Sequence, residues 1–244
     1  MPSRAFRLFN GRRKREILEI ACVFEEINAR PGPNTKYSLL NGALVLLVSS
    51  WEVYCEDVCL QAAKEIQSRP SLRFAQLDER LQKDLIQYAG KQYTGKQDPL
   101  SEKLAMLPDG RWRQLLLDRL NDYLPEFNTP KFSRNRGKDL NDLFRHILGI
   151  RSMSTALEDF VEENGLSGHL DAVVTLRGEI AHTGDAESRL SPRILRQHTE
   201  SFIEAAAAVD SIIYQEFRNN LGFAPWQITE KIRQALRPIA RDKL

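Results

Sequence analysis

The stretch from about Lys36 to Ser68 constrains this chain most. It contains no proline and a single glycine, Gly42. Pro31-Gly32-Pro33 isolates it from what precedes, because proline cannot continue a helix and pushes the residue before it into an extended conformation. Arg69-Pro70-Ser71 closes it at the other end. Asn34 or Thr35 can cap its start. Between these breaks the residues follow helical spacing, and from Leu39 to Val48 the helix is apolar nearly all round. A helix with that pattern runs through a core. Past Trp51 it becomes amphipathic.

The rest of the chain has to supply elements that cover this helix, and the same period of 3.6 recurs. Ile17, Ile20, Ala21, Phe24 and Ile27 form one apolar stripe, with Glu19, Glu25 and Glu26 between them. Leu72–Lys91 repeats the spacing through Phe74, Leu77, Leu81, Leu85 and Tyr88. Gly90–Pro99 reads as a polar loop. Short helices are expected at Leu100–Met106 and Arg111–Tyr123. An irregular connection with Pro125, Pro130 and Gly137 follows over Leu124–Lys138. Helices are predicted at Asp139–Leu148 with a stop at Gly149, at Thr155–Glu163, and at Leu170–His182 with a stop near Gly184. Ser191-Pro192 pairs a cap with proline at the first helical position and opens a helix to about Arg218. Ile228–Ala240 is a last amphipathic helix. No alternation typical of strands and no internal repeat is present, so the chain reads as all-α.

Composition narrows the function classes. Of 244 residues 42% are hydrophobic and 28% charged, which excludes collagen-like and wholly disordered chains. The 35 basic residues nearly balance the 33 acidic ones. A nucleic-acid site would therefore have to come from local clustering. Two such clusters exist. Arg4, Arg7, Arg12, Arg13, Lys14 and Arg15 have no acid among them. Lys131, Arg134, Arg136 and Lys138 form a second block, with Phe132 and Asn135 interleaved. Each block suits phosphate contacts as well as it suits a solubilising surface. Three cysteines, Cys22, Cys55 and Cys59, argue against a disulfide framework. No secretory signal is visible, and no stretch reaches the ~20 apolar residues a membrane helix needs. The expectation is a cytoplasmic protein with no membrane partner.

The segment Arg177-Gly178-Glu179-Ile180-Ala181-His182 is the main candidate for chemistry. On a helix its Arg and His are separated by ~140° around the axis and ~7.5 Å along it. They do not touch, but the long guanidinium arm can converge with the imidazole on a bound phosphate. Glu179 lies three residues before His182, on its face. A histidine can move protons at neutral pH, and an arginine stabilises charge growing on phosphate oxygens. The structural alternative is that His182 caps a helix end while Arg177 pairs with Glu179 or Asp171.

The setting of this segment, together with Trp51-Glu52-Val53-Tyr54 on the long helix and a Phe144–Ile150 helix ending in Leu-Gly-Ile, resembles the HEPN superfamily, closest to its RiboL-PSP type. The resemblance covers roughly Tyr37 to Asn219. It implies one HEPN-like helical bundle over residues 1–244, with a core of about 37–219. Residues 1–36, with their basic N-terminal helix, and 220–244, with a C-terminal helix, would be extensions. It further implies a homodimer in which Arg-x4-6-His pairs from two subunits line one cleft. The implied activity is a metal-independent endoribonuclease, a toxin or antiviral defence effector with an antitoxin as possible protein partner. In that reading His182 transfers the proton, Arg177 holds the scissile phosphate, and the RNA 2′-hydroxyl attacks. The other reading is a catalytically silent helical module that binds RNA, a nucleotide or a protein partner. Gly178 departs from the family, which often has asparagine or another polar residue after the arginine.

Supporting roles follow from position. Glu52 could face the cleft and orient Arg177, or sit with Glu56 on a solvated face. Arg134, Arg136 and Lys138 are the candidate RNA-binding residues. Trp51, Tyr54 and Val58 read as core, and Cys55 and Cys59 as small buried residues. His146, His169 and His198 lie in different predicted helices without His-x3-His spacing, so no metal is expected. No phosphate-binding glycine loop is present and no cofactor is expected.

Overall fold

The computed structural model of the protein describes residues 2–28, 37–91, 110–127, 130–132, 139–161, 165–183 and 190–227. These residues are helical with short connections, and no β-strand occurs among them. The chain opens with α1 (Arg4–Leu8), a π-helical turn (Phe9–Arg13) and α2 (Lys14–Asn28). The long α3 covers Tyr37–Gln67. Then come α4 (Glu79–Lys91), α5 (Trp112–Tyr123), α6 (Leu140–Leu148), α7 (Met153–Val161), α8 (Leu166–Thr183) and α9 (Pro192–Glu216), the last closed by a second π-helical turn at Phe217–Leu221.

Helix α3 is the axis of the bundle. Leu40, Ala43, Leu44, Leu47, Val48, Trp51, Cys55, Val58, Cys59, Ala62 and Ala63 along it are fully buried. It packs against α1, α2, α5, α6, α8 and α9. The expectation of a helix that runs through the core is met, as is the burial of Tyr54, Val58 and both α3 cysteines. Trp51 is the hub. Its ring stacks on Tyr54 at 5.5 Å between centroids and meets Phe202 of α9 edge-on at 5.6 Å. Phe9 stacks on Tyr54 at 5.5 Å. The Trp51 indole N–H donates to the Pro130 carbonyl at 3.3 Å.

Polar groups in this hub are matched. The Tyr54 hydroxyl donates to the Ala206 carbonyl at 2.7 Å and lies 3.2 Å from an Asp210 carboxylate oxygen. Asp210 also accepts from the Ser3 backbone N–H at 2.8 Å and the Ser3 hydroxyl at 2.6 Å. The Trp226 indole reaches the Asp210 carbonyl at 3.3 Å. Burial pushes the Asp210 carboxyl up to about 6, against the pull of the Ser3 and Tyr54 hydrogen bonds. Asp210 thus ties the first residues of the chain to α3 through its carboxylate and holds the segment after α9 through its backbone carbonyl.

Several boundaries follow the caps read from sequence. The Ser191 hydroxyl accepts from the Ile194 N–H at 3.2 Å at the start of α9. Asp139 accepts from the Asp142 N–H at 2.8 Å at the start of α6, and Gly149 ends that helix at φ +75°. Two differences have physical causes. The helix expected over Leu72–Lys91 starts only at Glu79, because the Asp78 carboxylate accepts from the Arg80 N–H at 2.9 Å and caps it there. The N-terminal residues read as an extension bury Phe6, Phe9, Ile17, Ala21 and Phe24 in the same hydrophobic core as α3. The helices predicted at Leu100–Met106 and Ile228–Ala240 lie outside the described residues.

Candidate active site on helix α8

Helix α8 turns one face to the core through Leu170, Val173, Val174 and Ile180. Arg177 lies on the edge of that face, one turn beyond Val173 and Val174, and is half-buried. Its Nε is buried and has no hydrogen-bond partner. A buried guanidinium N–H left unmatched costs on the order of 1–3 kcal/mol, a cost that Arg119 Nη1 in α5 carries as well. Asp171, about one and a half turns before Arg177, accepts the Phe132 N–H at 2.7 Å. His182 sits exposed in the last turn. Glu179 is half-buried between them.

Among the described residues Gly178 has no neighbour that requires a glycine. A Cβ built on it meets nothing within 4 Å. The backbone beside Arg177 is therefore open to approach from outside.

The residues leading into the second basic block lie against the same helix. The Lys131 ammonium donates to the Thr175 hydroxyl at 2.8 Å, two residues before Arg177. The Lys131 carbonyl accepts from the Leu140 N–H at 2.8 Å, and Asn141 donates to the Phe132 carbonyl at 2.8 Å. Lys131 and Phe132 are thus held beside α8 and against the start of α6. Arg134, Arg136 and Lys138 themselves lie outside the described residues.

Glu52 is half-buried on α3 and makes no hydrogen bond or ion pair with Arg177. Its electrostatic neighbour is Glu56, whose carboxyl is pushed up by burial and by the charges of Glu52 and Asp57.

A second polar cluster has no counterpart among the sequence motifs. Arg119 of α5 donates to Asp84 of α4 at 2.8 Å, and His146 Nδ1 of α6 stands 3.0 Å from the same carboxylate oxygen. Arg145 reaches His146 Nε2 at 3.3 Å and pairs with Asp142. Burial pushes His146 down, and the Arg119 charge adds to that. Burial opposes the Asp84 charge, but Arg119 and His146 outweigh it and hold the carboxyl below its usual range. The contributing residues are 27 to 62 positions apart, so no local motif announces them. The cluster ties α4, α5 and α6 together beneath the bundle. No group of three or more His, Cys, Asp or Glu side chains among the described residues is placed to hold a metal ion. No helix among them is long and apolar enough to cross a membrane.

The family model described as RiboL-PSP-HEPN matches residues 10–215. The chain belongs to the RiboL-PSP-HEPN family. The match spans α2 to α9, including Arg177–His182, and the HEPN domain is all-α, as found here. The HEPN superfamily includes ribonucleases, and its domains often bind RNA and dimerise. No curated protein and no solved structure matches the chain.

Proposed function

We propose that this HEPN protein is a metal-independent endoribonuclease whose catalytic residues are Arg177 and His182. The observation that carries the reading is the pairing at the end of α8: a half-buried arginine with an unmatched Nε, and one turn further on an exposed histidine. Membership in a superfamily that includes ribonucleases supports it.

In this mechanism Arg177 binds the scissile phosphate. The anion satisfies its buried N–H and the guanidinium stabilises charge that grows on the phosphate oxygens. His182 moves the proton. As base it takes the proton of the RNA 2′-hydroxyl, whose oxygen attacks the adjacent phosphorus. The 5′-oxygen leaves and is protonated. The products are a 2′,3′-cyclic phosphate and a 5′-hydroxyl. Arg177 and His182 point from different sides of one helix, so a second subunit that brings its own pair to the same cleft would complete the site. The basic block that begins at Lys131 supplies the electrostatic grip, with Arg134, Arg136 and Lys138 as phosphate contacts. Glu179 sets the charge environment of His182. A toxin or defence role, with an antitoxin as partner, is the biological setting this chemistry suits.

The test uses purified protein with RNA in excess EDTA, beside Arg177→Ala and His182→Ala. Cleavage by the wild type and its loss in both variants is the expected result. Cleavage that persists in both variants overturns the site assignment. No cleavage by any form favours a silent module that binds RNA, a nucleotide or a protein partner.

A further inference from the structure

Two of the histidines that the sequence scatters are brought together by the fold. His169 lies in the first turn of α8 and His198 in the second turn of α9. His198 Nδ1 and His169 Nε2 are 3.4 Å apart, and the ring centroids are 5.2 Å apart at an interplanar angle of 44°. No other protein group hydrogen-bonds to either of these two nitrogens among the described residues.

We infer that His169 and His198 form a binding site for one divalent transition-metal ion of the zinc class, bridging α8 and α9. The geometry fits. Two nitrogens at ~2.0–2.1 Å from a tetrahedral Zn²⁺ stand about 3.3–3.4 Å from each other. The observed separation is that tetrahedral edge, so the ion needs no movement of either helix. Imidazole pairs favour Zn²⁺, Cu²⁺ and Ni²⁺ over Mg²⁺ and Ca²⁺, which want oxygen ligands. His169 is exposed and His198 half-buried, which gives the ion an entry path and leaves its two remaining positions to water.

The site lies at the end of α8 remote from His182, thirteen residues away along the helix. It is a staple between the helix of the candidate active site and the last helix of the bundle, and it takes no part in the RNA chemistry.

The experiment titrates metal-free, full-length protein with Zn²⁺ by calorimetry, with Mg²⁺ as control, and follows thermal unfolding in parallel. The expected result is one Zn²⁺ per chain, a melting temperature that rises with Zn²⁺ and does not respond to Mg²⁺, and unchanged Zn²⁺ binding in Cys22→Ser. His169→Ala and His198→Ala should each bind Zn²⁺ at least about tenfold more weakly and lose the shift in melting. His169 is exposed, so its variant tests the site even if His198→Ala fails to fold. Absence of Zn²⁺ binding at millimolar metal, or undiminished binding in His169→Ala, overturns the inference.

Discussion

The hub around Trp51 and the last turns of α8 use the same kinds of side chain to opposite ends. In the hub a tyrosine, a serine and an aspartate are buried, and the Tyr54 hydroxyl, the Ser3 hydroxyl and the Asp210 carboxylate all have partners at 2.6–3.2 Å. On α8 a buried Arg177 nitrogen has none, and His182 stands in solvent. Each unmatched buried polar group is costly. An unmatched guanidinium N–H beside an exposed histidine is where a bound anion would gain most. The difference predicts that substitutions in the hub act on folding, and that substitutions at the end of α8 act on RNA.

The sharpest break between the two regions is His182→Ala. Loss of a proton-transfer group should lower cleavage by about 10²–10⁴-fold. The side chain is exposed and holds nothing together, so the melting temperature should stay within a degree or two of wild type, a shift well under 1 kcal/mol. A large loss of stability in this variant would move His182 into the structural class and collapse the contrast.

Trp51→Ala is the mirror image. Trp51 is fully buried and touches Phe9, Tyr54, Phe132 and Phe202. Its removal should cost ~3–5 kcal/mol in denaturant unfolding. Cleavage per folded molecule should be retained, provided assays are run where the variant is still folded. A full-stability variant with dead activity would mean that Trp51 serves the site as well as the core.

Asp210 gives the hub a pH signature. Its folded-state carboxyl titrates near 6, against a reference of 3.8. The native state therefore holds the proton more tightly than the unfolded chain. Its contribution to stability is full below about pH 4, is lost as pH rises to about 6, and is constant beyond. The gap between folded and unfolded proton affinity corresponds to about 3 kcal/mol. Chemical denaturation across pH 4–7 should show this decline, and Asp210→Asn should remove it. A pH profile identical in wild type and Asp210→Asn would show that the buried clamp does not titrate in this range.

The contrast was only half legible in the sequence. Caps such as Ser191-Pro192 and the stop at Gly149 are local chemistry, and local chemistry is written in consecutive residues. The apolar face of α3 announces itself for the same reason. The role of Phe6 and Phe9 was hidden. Arginines at 4, 7, 12, 13 and 15 dominate that stretch, and the π-helical turn at Phe9–Arg13 shifts the helical phase between Phe9 and Ile17. No single period runs through both. The Asp84–Arg119–His146 cluster and the facing His169 and His198 are assembled from different helices, between residues 27 to 62 positions apart, where local pattern carries no signal. Arg177 and His182 could be singled out because both lie on one helix. That the Arg177 Nε lacks a partner is a fact of packing and could not be read in advance.

Gly178 produces the smallest effect and separates two accounts of the open face. Within one chain a methyl group there meets nothing, so Gly178→Ala should raise stability by ~1 kcal/mol through helix propensity alone. If the space above it is merely solvent, cleavage and oligomeric state should follow wild type. If the backbone of α8 is approached by RNA or by a second subunit, the added methyl group intrudes on that contact, and either cleavage or dimerisation should fall while the monomer becomes more stable. A gain in stability combined with a loss of activity would show that the glycine is kept for what docks against the helix.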